Sequence, residues 1–248
     1  MWIIPVERDN PIRHRPYVVY ALLALNLAAA LATLVGGPEA VFRDFGFVPA
    51  DPSWTTLLTS MFLHGSLWHL LGNMFFLWMF GDNVEDVLGS VTFVAVYLLS
   101  GAAAVGLHLM MSPDSHVPLI GASGAISGIL GVYAAFFPKV PTDLSIILLR
   151  WEVKTFHVTA LGAIGIWFGE QLLLGWVMSV SGLDEYIPIA FWAHVGGLVF
   201  GAAVGAALVR CGCMRHYTGC ARHPLLGYLP YCPSRSTPAD ERTSPPAD

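Results

Sequence analysis

The sequence predicts an all-α membrane protein, a bundle of six transmembrane helices with both termini on the cytoplasmic side. Three observations predict it. The 248 residues are 55% hydrophobic and only 12% charged, about half the ~25% charged residues of an ordinary water-soluble domain. The apolar residues gather in six segments, each near the ~20 residues that a helix needs to cross a ~30 Å hydrocarbon layer. Eleven of the twelve lysines and arginines fall on one side of the alternating loops, the side that the positive-inside rule assigns to the cytoplasm.

Residues 1–16 read as a cytoplasmic N-terminal segment carrying Arg8, Arg13 and Arg15. The membrane domain follows over 17–209, with spans expected at 17–36, 57–80, 90–111, 120–137, 158–180 and 187–209. The first apolar run is too long for a signal peptide, and five more follow it. The fourth span is the shortest and richest in glycine, which suits a helix packed inside the bundle. Lys139, Arg150 and Lys154 sit between the fourth and fifth spans, and five arginines lie from Arg210 onward. The outward loops hold only Arg43 among the cations, beside Glu39, Asp44, Asp51, Asp114, Asp184 and Glu185. No basic patch suits nucleic acid.

Residues 210–248 change character and read as a cytoplasmic tail, polar, proline-rich and partly disordered towards its end. All four cysteines lie there, Cys211, Cys213, Cys220 and Cys232, so nothing suggests a disulfide framework. Cys211, Cys213 and Cys220 with His223 match no compact zinc spacing. Reduced thiols, open to acylation beside the membrane, are the plainer reading.

Ionisable and polar groups inside spans are costly, and few occur here. The second expected span carries His64, His69 and Asn73, the last two four residues apart on one helix face. The fourth carries Ser123 within Ile120–Gly131, I-GASGAISGIL-G, and the sixth carries His194 within F-W-A-H-V-G-G. The serine segment resembles a G-x-S-x-G elbow but has Ala125 at the second glycine position. Taken singly, a membrane serine is most often a packing residue. Depth argues otherwise: His64 and His69, Ser123 and His194 are expected at one outer level of spans running from outside to inside. Gly197, Gly201 and Gly205, in register with His194, and Gly124, Gly128 and Gly131 beside Ser123, form small-residue faces that let two backbones approach. Ser123 then becomes a nucleophile and His194 the base that takes its proton. His69, Asn73 and the Ser123 backbone N–H, unpaired at a helix start, supply donors for an oxyanion. No carboxylate lies at this depth to orient the base, so the site reads as a dyad. No metal or cofactor is called for.

In combination these residues resemble the rhomboid family of intramembrane serine proteases. The resemblance covers about 17–209: G-A-S-G at Gly121–Gly124, A-H-x-G-G at Ala193–Gly197, H-x4-H-x3-N at His64, His69 and Asn73, and E-x3-G at Glu85 and Gly89. It implies a rhomboid-like six-helix bundle cutting transmembrane segments of other proteins near their outer ends, within the lipid bilayer. Ser123 would be the nucleophile, His194 the base, His69 and Asn73 the oxyanion hole, and His64 their support. Many relatives carry a Trp-Arg pair in the first outer loop, where this chain has Trp54-Thr55, and some have an aromatic residue four after the nucleophile, here Ser127. The expected setting is the plasma membrane of a prokaryote, with the site towards the outer face. The alternative is a pseudoprotease that binds or escorts membrane clients without cleavage. A transporter would show an inverted repeat with broken helices, and none is evident.

Overall fold

The computed structural model describes residues 2–7, 10, 12–148, 151–182 and 190–212. Its elements in chain order are β1 (Trp2–Glu7), α1 (Tyr17–Gly36), α2 (Pro38–Phe45), α3 (Trp54–Thr59) and a single 3₁₀ turn at Ser60–Phe62. Then come α4 (Leu67–Leu88), α5 (Ser90–Met111), α6 (Ser123–Phe136), β2 (Pro141–Leu148), β3 (Trp151–Thr159), α7 (Ala160–Ser181) and α8 (Phe191–Arg210). The chain is mostly helical. α1, α5, α7 and α8 are each long and apolar enough to cross a membrane.

α6 is the axis of the bundle. Every residue from Gly124 to Tyr133 is buried, and α4, α5, α7 and α8 all contact it. At 14 residues it is about 21 Å long, and neighbouring helices wrap it. Its neighbour α8 approaches along the glycine seam. A Cβ on Gly197 would collide with the Gly124 carbonyl, and one on Gly201 with the Gly128 carbonyl. Only glycine permits this backbone-on-backbone contact.

The second expected span is displaced. Instead of 57–80, the helix runs Leu67–Leu88. Ser66 caps it, accepting from the His69 N–H at 3.1 Å, and the preceding residues form α3 and the 3₁₀ turn. The far end keeps its acidic residues buried because they have work there. Glu85 accepts from the Val18 and Val19 N–H groups at 3.1 and 2.9 Å, and from the Ser90 hydroxyl at 2.8 Å. It thus caps α1 from another helix, satisfying donors that Pro16 cannot reach with a side chain. Asp86 accepts from the Arg13 N–H at 2.9 Å and lies 2.8 Å from His14 Nδ1. Gly89, at φ 74°, turns the chain into α5.

The all-α expectation is also corrected. β1, β2 and β3 form an antiparallel sheet in that order, at the end of the bundle where α6 finishes and α7 begins. β2 and β3, rich in Ile, Val and Thr, have the residues that favour a pleated half-covered surface, and β1 recruits the N-terminal segment to their free edge. Glu7 at the end of β1 docks on the bundle: Tyr133 of α6 donates to it, and so does Asn83 of α4, at 2.7 Å. Burial raises the Glu7 carboxyl from 4.5 to about 7, with Asp82 adding to the shift and the hydrogen bonds from Tyr133, Asn10 and Asn83 opposing it.

Candidate active site

Three helices bring their first turns together at the end opposite the sheet. Ser123 is the first residue of α6, His194 the fourth of α8 and His69 the third of α4. Ser123 Oγ lies 2.8 Å from His194 Nε2, a hydrogen bond across helices that are 71 residues apart in sequence. His69 approaches the same serine by way of Gly121. That glycine has φ 126°, and a Cβ on it would sit 2.8 Å from His69 Cε1 and Nε2. The missing side chain and the unusual backbone therefore open the space in which the His69 ring lies beside Ser123.

Asn73 is buried one turn further along α4, donating one amide proton to the His69 carbonyl at 3.0 Å. Its second N–H is free of that bond by stoichiometry. His64 is not in a helix. It is buried in the turn before α4 with its ring centre 5.1 Å from that of His69, edge to face, where it backs that imidazole. A cavity of about 930 Å³ opens over the site, and Ser123, His194, His69 and Asn73 all line it. Trp68, Phe76, Trp167 and Met178 supply apolar wall, a mixture suited to an apolar chain with a few polar contacts.

The connection between α1 and α4 holds its shape without a Trp-Arg pair. Trp54 is exposed and Arg43 bonds Asp44 at 2.9 Å. Backbone pairing does the anchoring: Phe47 and Leu119 exchange hydrogen bonds at 3.0 and 2.7 Å, and the Gly121 N–H donates to the Ser60 carbonyl at 2.9 Å. Ser127, at the expected aromatic position, donates instead to the Ser123 carbonyl at 2.6 Å.

One group was missed in the sequence. Gln171 of α7 is buried, and its Oε1 lies 2.7 Å from His194 Nδ1. The Trp167 ring centre is 5.7 Å from that of His194. A polar residue inside the apolar run of α7 was the available signal. Its neighbour Glu170 is exposed. Among the described residues, no three His, Cys, Asp or Glu gather as a metal set. Of the four cysteines only Cys211 lies within the described residues, where it is exposed; Cys213, Cys220, Cys232 and His223 lie outside them.

The sequence was compared with known proteins. The family model described as "Rhomboid domain" matches residues 51–211. Presenilin-associated rhomboid-like protein, mitochondrial, of Mus musculus is 37% identical over 149 residues, 58% of this chain and 36% of that protein. Rhomboid protein 1, mitochondrial, of Saccharomyces cerevisiae is 28% identical over 198 residues, 77% and 53% of the two chains. Rhomboid protease GluP of Bacillus subtilis is 30% identical over 167 residues, 64% and 27% of the two chains. The match thus spans from about a quarter to about half of these relatives' lengths. The expected prokaryotic plasma membrane is overturned by the mouse and yeast proteins, both named as mitochondrial: hydropathy and charge asymmetry report that a membrane is crossed, and not which membrane it is. With that domain matching well over half its length, and a membrane-helix bundle carrying it, the chain belongs to the rhomboid family.

Proposed function

We propose that this protein is an intramembrane serine endopeptidase that hydrolyses peptide bonds in transmembrane segments of other membrane proteins. The observation that carries the reading is the 2.8 Å contact of Ser123 Oγ with His194 Nε2 at the floor of the cavity. His194 Nε2 takes the hydroxyl proton as Oγ attacks the scissile carbonyl carbon, forming the tetrahedral intermediate. The developing oxyanion is met by the Ser123 backbone N–H, His69 and Asn73. Collapse breaks the C–N bond, and His194 returns its proton to the leaving amine. Water, activated by the same imidazole, then hydrolyses the acyl-enzyme ester. His64 supports His69, while Gly121, Gly124 and Gly197 provide the close approaches.

The substrate segment must leave its helix to present a carbonyl, because helical C=O groups are already bonded. Six spans are proposed, α1, α4, α5, α6, α7 and α8, with both chain termini on the cation-rich side and the site towards the other. A mitochondrial membrane is the proposed setting, as for the mouse and yeast relatives. No cofactor takes part. The test is fluorophosphonate labelling together with cleavage of a reporter transmembrane segment. Both are expected of the native chain and of neither Ser123→Ala nor His194→Ala. Cleavage by Ser123→Ala at the native rate would sink the reading, and a native chain that binds the reporter without cutting it would favour the client-binding alternative.

A further inference from the structure

We propose that Gln171 is a positioning residue that completes a Ser123–His194–Gln171 relay, holding the base in the one tautomer that can accept the serine proton. The proposal rests on the protease reading above. Imidazole carries one proton when neutral, and only its bare nitrogen can take another. Gln171 Oε1 lies 2.7 Å from His194 Nδ1, and an amide oxygen only accepts. The proton of neutral His194 therefore belongs on Nδ1, leaving Nε2 bare towards Ser123 Oγ at 2.8 Å. During attack the serine proton moves to Nε2, while the Nδ1 proton stays bonded to Oε1. The imidazolium so formed is met by a carbonyl dipole on its far side.

Two features separate this contact from ordinary satisfaction of a buried amide. Several polar side chains in this bundle bond back to their own helix. Asn26 donates to the Leu22 carbonyl, Asn73 to that of His69, and Thr33 to that of Ala29. Gln171 instead reaches another helix and bonds the base itself. Its reach is also set by packing on both sides. Gly175, one turn on, lets α7 close on Phe191, since a Cβ there would already sit 3.1 Å from the Phe191 Cβ. Trp192 Nε1 donates to the Ser179 hydroxyl at 2.9 Å, one further turn along. These anchors hold α7 against the start of α8, and Trp167 closes on the ring one turn before Gln171. The aromatic residue absent at Ser127 is thus replaced from a different helix.

A neutral acceptor suits the site. It selects the tautomer without adding a second charge to a partly buried cavity, where an unpaired carboxylate would be costly. It also makes catalysis depend on the seating of α7.

The experiment is steady-state cleavage of a reporter transmembrane segment against pH, using the full chain in nanodiscs, with fluorophosphonate labelling rates alongside. Gln171→Met keeps the length but removes the acceptor. It is expected to lower kcat and labelling by on the order of 10- to 100-fold, the loss of one buried hydrogen bond to the reacting base, with KM within about twofold. Gln171→Glu restores an acceptor with charge. It is expected to recover much of kcat at high pH, with the acid limb moved upward by about one pH unit or more as the carboxylate favours imidazolium. A merely structural amide would not move that limb. If Gln171→Met keeps the native kcat and pH profile, or the acid limb of Gln171→Glu coincides with the native one, the proposal is overturned. A native chain that neither labels nor cuts overturns the protease reading and this proposal together. Native labelling with Gln171→Met labelling at the same rate overturns only this one.

Discussion

The carbonyl of Gly124 occupies the place that a Cβ on Gly197 would need, so α6 and α8 touch backbone to backbone beside the Ser123–His194 contact. The distance between hydroxyl and imidazole is therefore governed by a seam of missing side chains. An added methyl cannot be absorbed by a rotamer change, because what it meets is main chain.

Gly197→Ala and Gly201→Ala are accordingly expected to destabilise the fold by about 1–3 kcal/mol or more and to cut reporter cleavage at least tenfold. Gly169→Ala on α7, where a Cβ would meet nothing within 4 Å, should leave both unchanged. Thermal unfolding and cleavage assays on the three variants distinguish a seam effect from a general intolerance of alanine.

Asn73 supplies one donor among several in the proposed oxyanion hole, so its loss should weaken the reaction without silencing it. Asn73→Ala is expected to reduce kcat by about 10²- to 10³-fold. His194→Ala should fall to background. Equal activity for Asn73→Ala and the native chain would remove Asn73 from the oxyanion hole.

Glu85 holds the start of α1 from the end of α4, accepting two of its N–H groups and the Ser90 hydroxyl. Glu85→Ala leaves those donors unmet in a buried place and should cost about 1–3 kcal/mol. Because the site lies at the other end of α4, cleavage by the molecules that remain folded should stay near native. Denaturant unfolding paired with active-site titration reads the two effects separately.

The Glu7 carboxyl gives the sheet's docking a pH dependence. Its folded value, about 7, stands above the ordinary 4.5 because burial disfavours the charge. A raised value means the folded state holds the proton more tightly. Glu7's contribution is thus fully present below about pH 4.5 and is lost as pH rises through about 7. Stability should decline across that window, by on the order of 1–2 kcal/mol once partial exposure is discounted. Glu7→Gln should show a clearly shallower decline there. Thermal unfolding of both forms between pH 5 and 8 checks it.

Hydropathy located α1 and α5 to the residue, Tyr17–Gly36 and Ser90–Met111, because each begins and ends where apolar runs meet turns. It placed α4 eight to ten residues early, at 57–80 instead of Leu67–Leu88. A sliding average joins the apolar residues of α3 to those of α4 across Gly65 and Ser66. It also treats Asp82, Glu85 and Asp86 as outside, although Glu85 and Asp86 spend their oxygens on the start of α1. The sheet was illegible for a related reason. Its strands come from the N-terminal segment and a cationic connection, which charge counting reads only as loops.

Ser123, His194, His69 and Asn73 were readable as candidates because each is a polar group in an apolar run, a property of the local sequence. For Ser123 and His194 a common depth followed from counting residues along the spans, whereas His69 and Asn73 join that level only because α4 begins at Leu67. Which of them touch, and how closely, was decided by tertiary structure. Faces meet where glycines allow main chains to approach, and that brings Ser123 Oγ to His194 Nε2 and the His69 ring to Gly121. Gln171 shows the division most clearly. Its amide is visible in the sequence as an oddity of α7, but its partner lies 23 residues away on α8. Sequence determined which polar groups lie within apolar runs. Only the packing of α7 against α8 decided that an amide oxygen would stand behind the His194 ring, because a hydrogen bond depends on distance and direction, which composition does not carry.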